Sequence, residues 1–310
     1  MAPACNTKAV CVMDTSAHFG STLVERLLRR GYTVHAAAYE QGGFDKLKSK
    51  SISCENKRLR VFRSDPFDYQ SIVEAMKGCS GLFYTFEPPQ DQPSYDEFMV
   101  EVEVRAAHNV LEACARTETM ERVVFTSSVT AVVWKGTEES RQLTPATPEE
   151  VDERDWSEPN FCRKFKLWHA LAKTLSEKTA WALAMDRGVD MVSVNAGLVV
   201  DPMLSADNPY LKGAVEMYDD GVLVTVAIDF LADAHIAVYE SPSAYGRYLC
   251  FDRSICRPED TIKLAQMLSP TAASNPSPSD ELRVIQKRIQ NKKLSKVMVQ
   301  FGSGRHMDLE

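Results

Sequence analysis

Ala9-Val10-Cys11-Val12-Met13-Asp14-Thr15-Ser16-Ala17-His18-Phe19-Gly20-Ser21-Thr22-Leu23-Val24-Glu25-Arg26-Leu27-Leu28 is the stretch that decides the fold. Ala9 to Met13 is an apolar run of buried-strand type. After a polar break, Leu23, Val24, Leu27 and Leu28 recur at helical spacing, and Gly31 stops the helix. Strand, turn, helix and cap then repeat along the chain. Thr33 to Ala38, Leu59 to Phe62, Gly81 to Thr85, Val123 to Thr126 and Met191 to Val194 are predicted strands, and Tyr95 to Arg116 and Phe165 to Arg187 are the longest predicted helices. This alternation implies right-handed crossovers and an α/β fold, a doubly wound parallel sheet covered on both faces. Ligands of such sheets sit beyond the carboxyl ends of the strands, which directs attention to the residues just after Met13, Ala38, Tyr84, Phe125 and Val194.

Beyond about residue 195 the alternation loosens, with Pro202, Pro209, Pro242, Pro258, Pro270, Pro276 and Pro278 breaking the chain into shorter pieces. The expected organisation is a doubly wound α/β domain over 1–195, followed over 196–301 by segments that mainly build a smaller lobe, some returning to the main sheet. The Gly/Ser-led residues 302–310 are read as an added tail outside the fold.

The 310 residues are 44% hydrophobic and 25% charged, an ordinary globular composition that excludes collagen-like or low-complexity architecture. With 36 Lys and Arg against 43 Asp and Glu, the net charge is −7, and no basic stripe interleaved with aromatics appears, so no nucleic-acid partner is expected. Eight cysteines are too few for a disulfide scaffold, and none lies in a CxxC pair or near a His at zinc spacing, so no metal is expected. The opening residues lack a signal-peptide pattern and no apolar run reaches about 18 residues, which makes a cytoplasmic location without membrane association the expectation. His18, His35, His108 and His235 are isolated and expected to be ordinary surface or core residues.

Five stretches carry a family likeness: Arg122 to Ser128 (RVVFTSS), Asp152 to Ser157 (DERDWS), Asn160 to Lys164 (NFCRK), Lys173 to Lys178 (KTLSEK) and Gly246 to Cys250 (GRYLC). In this order they resemble the plant cinnamoyl-CoA reductase and dihydroflavonol reductase branch of the extended short-chain dehydrogenase/reductases, over roughly residues 8 to 270. The resemblance implies a Rossmann-like sheet, NADP or NAD as cofactor, and a phenolic or acyl-CoA ligand. It also implies a Ser, Tyr and Lys triad: the Lys holds the nicotinamide ribose and lowers the Tyr pKa, the Tyr protonates the carbonyl oxygen, and the Ser hydrogen-bonds it. Ser128 and Lys173 match that triad, but His169 stands at the tyrosine position, four residues before Lys173.

Of the family's three turn glycines only Gly20 remains; Asp14 and Ala17 occupy the other two places. Two like charges about 4 Å apart at an effective dielectric of about 20 repel by about 4 kcal/mol. An Asp14 carboxylate facing the pyrophosphate would therefore weaken binding, whereas one turned to the helix N-terminus would act as a cap. Ser16, Phe19 and Gly20 are the turn candidates for cofactor contact. Tyr39 replaces the Arg that NADPH-using members carry, and Glu40 is read either as a ribose ligand or as a solvated loop residue. Asp65, Thr85 and Asn195 complete the candidate cofactor set, with Phe86 and Glu87 adding bulk and charge beside the channel.

Three functions follow as alternatives. One is a reductase-like protein with degraded motifs, weak or inactive, that binds a small phenolic or acyl-CoA ligand or a protein partner. A second is an active NAD(P)H-dependent reductase using His169 in place of Tyr. The third is a cofactor-independent acid/base enzyme.

Overall fold

A computed structural model describes residues 8–15, 18–39, 58–86, 88, 95–136, 148–202, 204–268 and 287–304. The apolar runs form the expected strands. They are β1 (Ala9–Met13), β2 (Thr33–Ala38), β3 (Leu59–Arg63), β4 (Gly81–Tyr84), β5 (Arg122–Ser128) and β7 (Met191–Ala196), with β6 (Glu149–Val151) lying outside the main sheet. With β10 (Gly246–Cys250), six of these build a seven-stranded parallel sheet in the order β10-β7-β5-β4-β1-β2-β3. Its central strands are buried on both faces, which is why they read as unbroken hydrophobic runs rather than alternating ones.

One face is covered by α1 (His18–Arg29), α7 (Ile228–Glu240) and the terminal helix α9 (Lys292–Gly304), packed around Leu23, Leu27, Phe83, Ile236 and Leu294. The other is covered by α2 (Tyr69–Met76), α3 (Glu97–Ala115) and α5 (Trp168–Arg187), around Met76, Leu82, Val110, Phe125 and Ala180. The short α4 (Pro159–Lys164), α6 (Ala214–Asp220), α8 (Pro258–Leu268) and a three-stranded sheet of β8 (Leu198–Val200), β9 (Val224–Ala227) and β11 (Arg253–Ser254) belong to a third apolar cluster with Trp134, Leu167 and Tyr210. A parallel pair joins β12 (Lys287–Ile289) to β6. Helix α9 includes Gly302 to Gly304, so the first residues of the expected tail continue a helix.

Two long helices start later than their apolar spacing predicts. Asp96 caps α3 by accepting from the Met99 N–H, which sets the start at Glu97 instead of Tyr95. Before α5 the chain first forms α4 and then turns through Lys166, whose φ is 54°, so Phe165 ends one helix rather than starting the next. Gly20 is required by close approach: a Cβ there would lie 2.4 Å from the Asp14 carbonyl oxygen and 2.8 Å from Thr15 Cα.

The sheet and its third cluster are joined at one buried ion pair. Glu177, on the inward face of α5, accepts from Ser127 Oγ at 2.7 Å, Ser193 Oγ at 2.6 Å and Asn195 Nδ2 at 2.7 Å, and from Arg247 Nε at 2.8 Å. Arg247 also donates to the carbonyls of Glu153 and Asp155, and its guanidinium lies 3.6 Å over the Trp156 ring. Burial alone would raise the Glu177 carboxyl, but the Arg247 charge and the serine hydroxyls hold it below the usual carboxylate range.

Removing one partner strands the other charge in the interior, so Arg247→Met should lower unfolding free energy by about 3–5 kcal/mol. Urea denaturation monitored by tryptophan fluorescence reads this directly; a loss below about 1 kcal/mol would mean the pair is not the junction of the fold. In the same assay Gly20→Ala should cost about 1–3 kcal/mol, because the obstructing atoms are backbone.

Candidate functional site

The strand order changes direction between β1 and β4, and the candidate site lies beyond the carboxyl ends of these strands and of β5. There the backbones of Asp14 and Thr85 close on one another, Asp14 N–H donating to the Thr85 carbonyl at 3.0 Å.

Ser128 ends β5, and its Oγ caps the following turn by accepting from the Thr130 N–H at 3.2 Å and from the Thr130 hydroxyl at 3.0 Å. Its own hydroxyl points to the Ala196 carbonyl on β7, 3.4 Å away. His169 lies in the first turn of α5, with Nδ1 3.1 Å from Thr130 Oγ1. With the Thr130 hydroxyl hydrogen directed to Ser128, Nδ1 is assigned as the donor to Thr130, which leaves the lone pair on Nε2. The ring is half-buried, with the Tyr95 ring edge-on at 5.0 Å and the Tyr210 ring at 6.1 Å. Burial, reinforced by the charge of Lys173, holds the imidazole well below the usual histidine range, so it is neutral at physiological pH.

Lys173 follows one helical turn later on the same face. Its ammonium is 3.0 Å from Glu103 Oε1, 3.4 Å from the Phe86 carbonyl and 5.8 Å from the Phe86 ring centroid. Lys173 is 8% exposed and Glu103 2%. Glu103 also accepts from Ser176 Oγ at 3.1 Å and Tyr95 OH at 3.0 Å. Ser128 and His169 are thus linked through Thr130, while the Lys173 ammonium lies on Glu103 and acts on the His169 ring through its charge.

The candidate cofactor residues are more dispersed. Phe19 is turned into the core against His235, 4.9 Å between centroids. His235 donates from Nδ1 to the Leu231 carbonyl and accepts from Thr126 at Nε2, and burial pushes its pKa down to about 4. Tyr39 is exposed at the end of β2, and Asp65 Oδ1 accepts from the Phe67 N–H at 2.8 Å. Thr85 is buried. Asn195 is fully buried in the Glu177 network, with Nδ2 also 3.3 Å from the Ser128 carbonyl and Oδ1 without a hydrogen-bond partner among the described residues. The Asp14 carboxylate is near enough to the buried Tyr84 hydroxyl to help raise it, after burial and Glu103. Ser16, Ala17, Glu40 and Glu87 lie outside the described residues. His18, expected to be isolated, has Nδ1 3.3 Å from Asp201 Oδ2, which links the start of α1 to the loop after β8. Among the described residues no group of three or more His, Cys, Asp or Glu is placed to hold a metal ion, and no helix is long and apolar enough to cross a membrane.

Glu103, Thr130, Tyr95 and Tyr210 escaped the sequence analysis. Glu103 had one available signal: it lies on the stripe Met99, Glu103, Ala106, Ala107, Val110 that α3 buries.

Residues 11–155 match the model of the 3-beta hydroxysteroid dehydrogenase/isomerase family. The chain is 33% identical to cinnamoyl-CoA reductase 1 of Petunia hybrida over 304 residues, 95% of this chain and 88% of that protein. The chain belongs to the cinnamoyl-CoA reductase-like branch of the extended short-chain dehydrogenase/reductases. Tetraketide alpha-pyrone reductase 1 of Arabidopsis thaliana is another relative of this branch, 32% identical over 86% of this chain and 81% of its own length. The fold is shared with vestitone reductase from alfalfa (TM-score 0.68, 24% identity, 93% of this chain and 91% of that one). It is shared as well with yeast methylglyoxal/isovaleraldehyde reductase complexed with NADPH (TM-score 0.66, 16% identity, 94% and 93%).

The depressed His169 pKa has a sign that can be tested. Between its folded value and the ordinary value of 6.5, the unfolded chain binds a proton that the folded chain does not, so stability falls as pH is lowered through that window. His235 contributes with the same sign. His169→Gln should therefore flatten, without abolishing, the loss of stability below about pH 6.5; an unchanged slope in pH-dependent urea melts would place His169 at an ordinary pKa.

Proposed function

We propose that this chain is a cinnamoyl-CoA reductase-like protein with weak or absent reductase activity, whose cleft serves a ligand- or partner-binding role in the cytoplasm. The observation that carries this is the Lys173–Glu103 pair. By family resemblance this lysine would hold the nicotinamide ribose of NADP or NAD; here its ammonium already lies on a buried carboxylate. Drawing it away would leave Glu103 uncompensated in the interior, at a cost on the order of 3 kcal/mol, and about 1.4 kcal/mol is tenfold in affinity.

Three further features agree. A neutral imidazole is a poor acid, so His169 is badly suited to protonate a carbonyl oxygen. Asp14 brings a carboxylate to the turn where the family places glycine, and Tyr39 offers no cation to a 2′-phosphate. The described residues therefore fit a nicotinamide dinucleotide poorly, and the occupant we favour is a small phenolic or acyl-CoA molecule or a protein partner. An active reductase using His169 is the second reading, favoured by Ser128 and Lys173 keeping the family's triad residues and by the Ser128–Thr130–His169 chain of hydrogen bonds; a cofactor-independent acid/base enzyme is the third.

Turnover of p-coumaroyl-CoA with NADPH separates these readings. The native chain and His169→Tyr should stay near background, while His169→Tyr with Asp14→Gly, Ala17→Gly and Tyr39→Arg should gain NADPH-dependent reduction. Full activity from His169→Tyr alone would show the cofactor site intact and overturn the proposal. Native turnover that rises as pH falls would establish His169 as the acid, and conversion without nucleotide would establish the third reading.

A further inference from the structure

Four hydroxyls surround His169 among the described residues, and each donates away from the cleft. Tyr95 donates to Glu103 Oε2 at 3.0 Å, Tyr210 to the Val224 carbonyl at 3.3 Å, Thr130 to Ser128 Oγ at 3.0 Å and Ser128 to the Ala196 carbonyl at 3.4 Å. The His169 Nδ1–H is itself given to Thr130. Lys173 directs its ammonium to Glu103 and the Phe86 carbonyl and is almost wholly buried. The unpartnered donors Tyr84 OH and Trp134 Nε1 are buried, whereas His169 Nε2 is thereby left as a lone pair with no hydrogen-bond partner among the described residues. A ligand carbonyl oxygen carries lone pairs only and meets no matching donor at that atom; a ligand hydroxyl does. The rings of Tyr95 and Tyr210 beside the imidazole suit a flat apolar body attached to that hydroxyl.

We propose that the His169 cleft binds an aromatic alcohol or phenol through an O–H···Nε2 hydrogen bond and discriminates against the corresponding carbonyl compound. This rests on the reading that the cleft serves a ligand rather than hydride transfer. The scaffold keeps a reductase's residues at Ser128 and Lys173 but reverses the hydrogen-bonding sense of the site from donor to acceptor.

The probes are α-methylbenzyl alcohol and acetophenone, which share a carbon skeleton and differ at the oxygen. They are titrated into the nucleotide-free full chain and followed by protein chemical shifts. The alcohol should bind about tenfold more tightly or better. His169→Phe should erase the difference and His169→Tyr should reverse it, since a phenol can donate to the ketone. Because either variant can fold poorly, the native protein's histidine ¹⁵N spectrum provides a second reading: His169 should show a protonated Nδ1 and a bare Nε2 at neutral pH. Equal or undetectable binding of both probes, tighter binding of acetophenone, or a protonated Nε2 overturns the inference. NADPH-dependent turnover by the native chain would instead overturn the reading beneath it, so the two failures are distinguishable.

Discussion

Glu177 carries a full charge where no water reaches, and a buried carboxylate is tolerated only if its lone pairs are met by donors and its charge by a cation. Ser127 from β5, Ser193 and Asn195 from β7 and Arg247 from β10 meet that demand at once. The constraint propagates. It holds the ends of β5 and β7 in register, which puts Ser128 beside Ala196, and it fixes the rotation of α5 about its axis. With Glu177 pointing inward, Lys173 and His169, one and two turns earlier, share its face and arrive at the strand ends. Arg247 extends the same junction to the Glu153 and Asp155 carbonyls, tying in the segment before α4.

Glu103 is a second buried carboxylate, and it decides how the site behaves electrically. It takes the Lys173 ammonium, the Tyr95 hydroxyl and the Ser176 hydroxyl, so the strongest donors near the cleft are turned toward α3. The Lys173 charge, held one turn from His169, then adds to burial in keeping the imidazole neutral. One acid on α3 thus accounts both for the occupied lysine and for part of the depressed histidine, and with them for a cleft that offers a lone pair where a carbonyl reductase needs a donor.

The central strands were legible because burial on both faces leaves an unbroken apolar signature that needs no knowledge of neighbours. β10 was not predicted as a strand: Arg247 interrupts it with a charge that becomes acceptable only through Glu177, seventy residues away. Gly20 was legible as the one turn glycine kept from the family pattern, and the backbone distances around it give the reason. Ser128, His169 and Lys173 were singled out through the resemblance, and the four-residue spacing of the last two puts them on one helix face. Thr130 and Glu103 were not, since a hydroxyl's direction and a carboxylate's partner depend on tertiary contacts that spacing does not encode. Phe19 and Asn195, taken for cofactor contacts, are placed against His235 and within the Glu177 network.

The account depends most on Lys173 being held by Glu103 rather than open to a nucleotide. A calorimetric titration of the purified chain with NADPH, and separately with NADH, addresses that directly. No binding with either nucleotide at millimolar concentration is the predicted result. Micromolar affinity for NADPH would contradict it, because the lysine would then be releasing its buried partner at no detectable cost.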